Sequence, residues 1–225
     1  ILNPSASHFA FGKHAVRQRF VLEGSRAFQV SYIYANLLGN EAGRAIYDGD
    51  AMIASAGRLL ASGPRFSYAD YQLTTAVIDV DHTRMQRART GSFQPDIRSG
   101  GCHCVEVAFE FPRIPPEAPP REVPAWERSE FLKEEEFTRA VSLGLFDYLR
   151  KSRSQGFVVS LSGGADSSAV ACLSALLVHF GVTELGRDRF LKKLTHIRAL
   201  ADLAAEGPLV RHLLTCVYQS TRNSS

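Results

Sequence analysis

At 225 residues, 45% hydrophobic and 22% charged, with a formal net charge of +3, the chain has the composition of an ordinary globular protein with one large or two smaller domains. Basic and acidic residues interleave, which argues against a nucleic-acid partner. The four cysteines, Cys102, Cys104, Cys172 and Cys216, are too few for a disulfide framework and point to a reducing, cytoplasmic setting, and no apolar run reaches the roughly 20 residues of a membrane span.

The chain opens as "ILNPSASHFAF", which reads as a strand and loop without the basic leader of a signal peptide. Lys13 to Gln29 is predicted to be an amphipathic helix. Val16, Phe20, Ala27 and Phe28 share one face there, with the arginines largely elsewhere. Four strand-like runs follow, Val30–Gly39, Arg44–Ser55, Gly57–Phe66 and Gln72–Asp81, rich in β-branched and aromatic residues and bounded by Gly, Asn, Asp and Pro. Cys102-His103-Cys104 has no second ligand pair at zinc spacing and reads as thiols along a strand. The proline-dense stretch Phe111–Pro124 forbids helix and favours an extended spacer. It divides the chain into residues 1–92, a linker over 93–130, and residues 131–225.

The second part begins with a predicted helix over Glu130–Ser152. Phe131, Phe137, Val141, Leu145 and Leu149 recur there at helical spacing, with acids leading and bases trailing. A short buried strand at Phe157–Ser162 is followed by a buried helix at Asp166–Phe180, a further helix at Asp188–Leu203 and a second buried strand at His212–Tyr218. That order implies a parallel α/β sheet entered at its first strand. The lack of an initiator methionine and the abrupt C-terminus lead to the expectation of a longer polypeptide.

The chemistry concentrates where the first of these strands meets its helix, at "SLSGGADSS" (Ser160–Ser168). A glycine turn that opens a helix presents unpaired N–H groups and a partial positive charge to phosphate. Gly163 and Gly164 admit close approach of oxygen atoms to the backbone, and Ser162, Ser167 and Ser168 add hydroxyl donors. Asp166 beside a phosphate makes sense with a cation between them, and Mg2+ fits. A capped helix N-terminus accounts for Asp166 or Ser162 alone but not for the whole cluster. Neither a Walker A lysine nor a Gly-x-Gly-x-x-Gly spacing is present.

These residues resemble the Ser-Gly-Gly-x-Asp-Ser loop of the N-type ATP pyrophosphatases, whose members adenylylate a carbonyl oxygen and then let a nucleophile displace AMP. The resemblance implies an ATP site at Ser160, Leu161, Ser162, Gly163, Gly164, Ala165, Asp166 and Ser167, with Asp166 holding Mg2+. The first part, through "NPSASHFAFGK", "YIYANLLGNEAGRAIYDGDAMIASAGRLLA" and "TTAVIDVD", is similar to the second half of a nitrilase-type amidase. The combination resembles the glutamine-dependent NAD synthetase family. The fold implied is α/β: the C-terminal half of a nitrilase-like αββα sandwich, then the start of a Rossmann-like parallel ATP-pyrophosphatase domain. The reaction implied is amidation of deamido-NAD to NAD by ATP and L-glutamine in a cytoplasmic homo-oligomer, with no nucleic-acid or membrane partner. Ser7 and Lys13 occupy positions implied to contact glutamine. Read without the family, Ser7 makes a local turn bond and Lys13 is a solvated helix start.

The glutaminase Glu, Lys and Cys of that family have no counterpart here and are expected upstream, so the 225 residues alone are expected to be inactive. Two other readings stay open: another ATP-dependent amidotransferase or thiolation enzyme sharing the loop, and a non-catalytic scaffold, against which the intact loop counts.

Overall fold

The computed structural model describes residues 1–41, 44–91, 107–110, 123–201 and 208–220. The first part is β1 (Leu2–Ser5), α1 (Lys13–Ala27), β2 (Ser31–Asn36), β3 (Leu38–Glu41), β4 (Ala45–Asp48), β5 (Met52–Ser55), β6 (Arg58–Ser62) and α2 (Val80–Arg89). The second is a 3-10 turn (Ala125–Arg128), α3 (Leu132–Ser152), β7 (Phe157–Ser160), α4 (Ala165–Leu185), α5 (Arg187–Lys193), α6 (Arg198–Ala201), α7 (Val210–Leu213) and β8 (Leu214–Val217).

Strands β1-β2-β5-β6 form a mixed sheet in that order, β1 and β2 parallel and the other pairs antiparallel. Helix α1 lies on it, and Val21, Tyr32, Tyr34, Met52 and Ala54 form a small core between them. The hairpin β3–β4 leaves the sheet and packs on α3. Strands β7 and β8 pair in parallel, as the sequence implies, with α4 between them in the chain. Gly156 permits this close approach: at φ +147, a Cβ there would lie 2.7 Å from the carbonyl oxygen of Leu213.

The larger core joins both parts of the chain. Phe66 and Tyr68 from the first pack with Leu143, Phe146 and Leu149 of α3, Leu177 of α4 and Phe190 of α5. Phe146 is 1% exposed and sits at the centre of this cluster, its ring 5.0 Å from Tyr68 and 5.6 Å from Phe190. Phe146→Ala is expected to cost about 3–5 kcal/mol, read as a lower urea midpoint. Polar contacts cross the same boundary. Asn40 N donates to Asp147 Oδ2 at 2.7 Å, Arg65 to Glu136 at 2.7 Å, Ser67 Oγ donates to Glu184, and Tyr68 N donates to Glu184 at 2.8 Å.

Several expected elements differ. Gln72–Asp81 is not a strand: residues 72–79 have no regular structure, and Asp79 accepts from the His82 amide and starts α2 instead. Helix α1 occurs where predicted, but Val16, Phe20, Ala27 and Phe28 are exposed and Arg17, Val21 and Ser25 are buried. Of the face predicted for α3, Leu149 is buried and Val141 and Leu145 are half-buried, while Phe131 at its N-cap and Phe137 are exposed, and Ala140, Leu143, Phe146 and Asp147 also turn inward. Its acidic first turn and basic last turn are as expected.

The helix expected over Asp188–Leu203 breaks after α5. Ser154 and Gln155 bond His196 and the Arg198 amide there, replacing intrahelical partners. Strands β7 and β8 and the first half of α4 are largely exposed, with Val158 74% accessible. By length and composition α4 is apolar enough to cross a membrane, although the sequence shows no uncharged run of that length. Its C-terminal half packs in the core.

Candidate functional site

At the phosphate-type loop, β7 ends at Ser160, and the Leu161 amide extends the pairing by donating to Val217 O at 2.8 Å. The chain then turns at Gly163 (φ +78), a left-handed conformation that favours glycine. Gly164, extended at φ −86 and ψ 166, is the N-cap of α4 and offers no side-chain cap. The amides of Ala165, Asp166 and Ser167 therefore have no acceptor within the helix.

The hydroxyls fold back on the loop. Ser162 Oγ accepts from Gly164 N at 3.4 Å and lies 3.3 Å from Ser167 Oγ, while Ser167 and Ser168 donate to Gly164 O at 3.2 and 3.0 Å. Ser160, Ser162, Gly163, Gly164, Ala165, Asp166 and Ser168 are exposed, and Leu161 and Ser167 half-buried. The result is an open cradle of unpaired amides and short hydroxyls with one carboxylate at its rim, suited to a polyanion. Among the described residues no group of three His, Cys, Asp or Glu side chains forms a metal cluster. Asp166 alone fits a divalent ion that takes its remaining ligands from phosphate and water. Cys102 and Cys104 lie outside the described residues, and Cys172 and Cys216 are free thiols.

Ser7 and Lys13 flank the turn into α1. Gly12 at φ +73 caps the helix, Lys13 is its first residue, and both Ser7 and Lys13 are half-buried. Ser7 is held at three points. Its N–H donates to Asn36 Oδ1 at 2.8 Å, its carbonyl accepts from Asn36 Nδ2 at 2.9 Å, and its hydroxyl accepts from Arg17 Nε at 3.2 Å. These partners are remote in sequence, so the local turn bond gives way to a cross-chain clamp.

Arg17 is the residue that sequence reasoning missed. All five of its N–H groups are used: Nε to Ser7 Oγ, Nη2 to the carbonyls of Ser7 (2.8 Å) and His8 (3.0 Å), and Nη1 to Asp48 (2.7 Å) and Asp50 (3.1 Å). Burial pushes its guanidinium pKa down, but Asp48 and Asp50 more than offset this and leave it above the ordinary value. Asp48 is shared with Arg65, which also holds Glu136, and Asp50 is shared with His14. The alternating acids of "YDGD" and the four-residue step from Lys13 to Arg17 were the available signals.

The NAD synthase family model matches residues 137–194, which include the whole phosphate-type loop. The chain is 33% identical over its full length to a glutamine-dependent NAD(+) synthetase of Oryza sativa subsp. indica, covering 31% of that protein. It is 30% identical over its full length to the enzyme of that name from Homo sapiens, covering 32% of it. The crystal structure of a glutamine-dependent NAD(+) synthetase from Cytophaga hutchinsonii superposes on the full chain with a TM-score of 0.68 and 40% identity, the chain spanning 31% of that protein. In sequence and in fold the chain is similar to glutamine-dependent NAD(+) synthetases, and it spans about a third of their length.

Proposed function

We propose that the chain serves glutamine-dependent NAD synthesis: ATP-dependent amidation of deamido-NAD with ammonia released from L-glutamine. The observation that carries this reading is the open cradle at Ser160–Ser167, between a parallel strand and an uncapped helix, in a chain similar along its whole length to enzymes of that name. The nicotinate carboxylate of deamido-NAD attacks the α-phosphorus of ATP, and pyrophosphate leaves. Ammonia then attacks the acyl carbon of the adenylate, and AMP departs with the bond electrons. The loop amides and the hydroxyls of Ser162 and Ser167 hold the β- and γ-phosphates, so charge on the departing pyrophosphate meets fixed dipoles. Asp166 would hold Mg2+, which supplies charge neutralisation at the phosphates.

In this reading residues 1–92 are the C-terminal half of a nitrilase-like glutaminase, 93–130 a linker, and 131–225 the start of a Rossmann-like ATP-pyrophosphatase domain. Ser7, fixed by Arg17, and Lys13, one helical turn earlier, contact glutamine. The glutaminase nucleophile comes from sequence outside these residues, so the isolated 225 residues have neither activity. The working enzyme is a cytoplasmic homo-oligomer.

The test is the full-length protein with deamido-NAD, ATP and either glutamine or ammonium. NAD, AMP and pyrophosphate in equal amounts are expected, and AMP formation only with a different acceptor would sink the reading. Lys13→Ala is expected to raise the glutamine KM about 10- to 100-fold, the cost of losing one charged hydrogen bond, and to leave the ammonium-driven rate unchanged.

A further inference from the structure

The buried charges behind Ser7 do not stop at the first part of the chain. Arg17, Asp48, Arg65 and Glu136 form an unbroken line from the Ser7 hydroxyl to α3, and each of these side chains is at most 6% exposed. The spacing along the line is uneven. Arg17 Nη1 donates to Asp48 Oδ1 at 2.7 Å, whereas Arg65 reaches Asp48 Oδ2 at 3.3 Å through both Nε and Nη2. The short bond of Arg65 goes to Glu136 Oε1 instead, at 2.7 Å.

The backbone explains where Arg65 sits. Gly49 and Arg65 form an antiparallel bridge, and Phe66 N donates to Asp48 O at 2.9 Å, so Arg65 is tied beside Asp48. Its guanidinium lies 5.0 Å from the ring of Phe66 and 5.5 Å from that of Trp126, which itself packs 5.9 Å from Phe66. Glu136 comes from the other part of the chain, buried on the inward side of α3 with Ala140 and Leu143. An arginine facing one carboxylate closes on it with two short parallel bonds. Two contacts of 3.3 Å are that fork held back: Glu136 draws Arg65 off Asp48 and leaves Asp48 to Arg17.

We propose that Glu136 is a positioning residue for the Ser7–Lys13 segment, acting through Arg65 and Asp48 on Arg17. Without the charge of Glu136, Arg65 closes on Asp48, and Asp48 turns away from Arg17. The guanidinium that holds Ser7 Oγ and the carbonyls of Ser7 and His8 then keeps Asp50 as its one firm carboxylate anchor. The glutamine-contacting segment is thus aimed in part by the helix that leads into the phosphate-type loop. That this segment contacts glutamine rests on the function proposed above.

The test compares the glutamine KM and the ammonium-driven rate of the full-length protein. Glu136→Gln is expected to raise the glutamine KM about 5- to 10-fold and to leave NAD formation from ammonium unchanged. The discriminating variant is Glu136→Gln combined with Arg65→Gln, which removes the ion pair whole and leaves neither partner as a lone buried charge. With Arg65 gone Asp48 belongs to Arg17, so the double variant should return to within about twofold of the wild-type KM, a coupling that contacting residues show and independent ones do not. A merely structural role gives the opposite order, since the double variant loses more buried contacts than the single one.

A double-variant KM at or above that of Glu136→Gln overturns the proposal, as does an unchanged KM in Glu136→Gln or an equal loss with both nitrogen sources. Should Glu136→Gln not fold, Glu136→Asp takes its place. It keeps the charge at shorter reach and is expected to raise the glutamine KM about threefold, and no rise overturns the proposal. A wild type that uses no glutamine sinks the proposed function and this role with it. Ordinary glutamine use in the wild type with unchanged variants sinks this role alone.

Discussion

Asp166→Ala in the full-length protein is expected to lower NAD formation from ammonium and from glutamine alike, by about 10²- to 10³-fold, the scale on which a single electrostatic contact to a reacting centre acts. Asp166 stands at the exposed first turn of α4, and its removal leaves the backbone of the loop intact. Thermal stability should therefore change little. The measurement is initial-rate AMP release with each nitrogen source at several Mg2+ concentrations. If Asp166 holds the metal, raising Mg2+ should partly restore the rate. A variant with wild-type AMP release removes Asp166 from the ATP site.

Arg17→Met is expected to cost about 3–5 kcal/mol of stability, because it leaves Asp48 and Asp50 buried with only part of their compensation. Both carboxylates are fully buried, and Arg65 and His14 are the partners that remain to them. For a chain of this size the loss corresponds to roughly 10 °C in Tm. Arg17→Lys should lie between, since an ammonium keeps the charge but cannot span two carboxylates, two carbonyls and a hydroxyl at once. In the full-length protein both variants should also weaken glutamine use more than ammonium use, because Ser7 loses two of its contacts. Urea unfolding read beside the two nitrogen-source assays separates these effects, and an Arg17→Met protein of unchanged urea midpoint contradicts the buried-pair argument.

The phosphate-type loop was legible in the sequence because its determinants are local. Gly163 fixes the turn, α4 begins at Ala165, and the hydroxyls follow within five residues. Helix α1 and most strands of the first part were legible for the same reason. The buried faces were not. Val16 and Phe20 look like the inner face of α1, yet Arg17 goes inward because Asp48 and Asp50, about 30 residues away, are buried opposite it. No local pattern reports such a pair. Val77 and Ile78 mark a strand by propensity, but Asp79 caps a helix and Gln72 turns to bond Ser67, and these contacts win over a weak preference. Trp126, packed on Phe66 and between Arg65 and Arg139, was hidden by the neighbouring prolines, since composition alone says nothing about which residues of a spacer dock.

Helix α4 carries the cradle at one end and Glu184 at the other, where Ser67 and Tyr68 of the first part grip it. Its 21 residues make a rod about 30 Å long. Pivoted at the Glu184 grip, a tilt of about 2° sweeps the cradle end through roughly 1 Å, a displacement large enough to cost about 10²-fold in rate when reacting atoms must align. The aim of the cradle thus depends in part on a seating made by two residues of the opposite part of the chain, at the far end of the same helix.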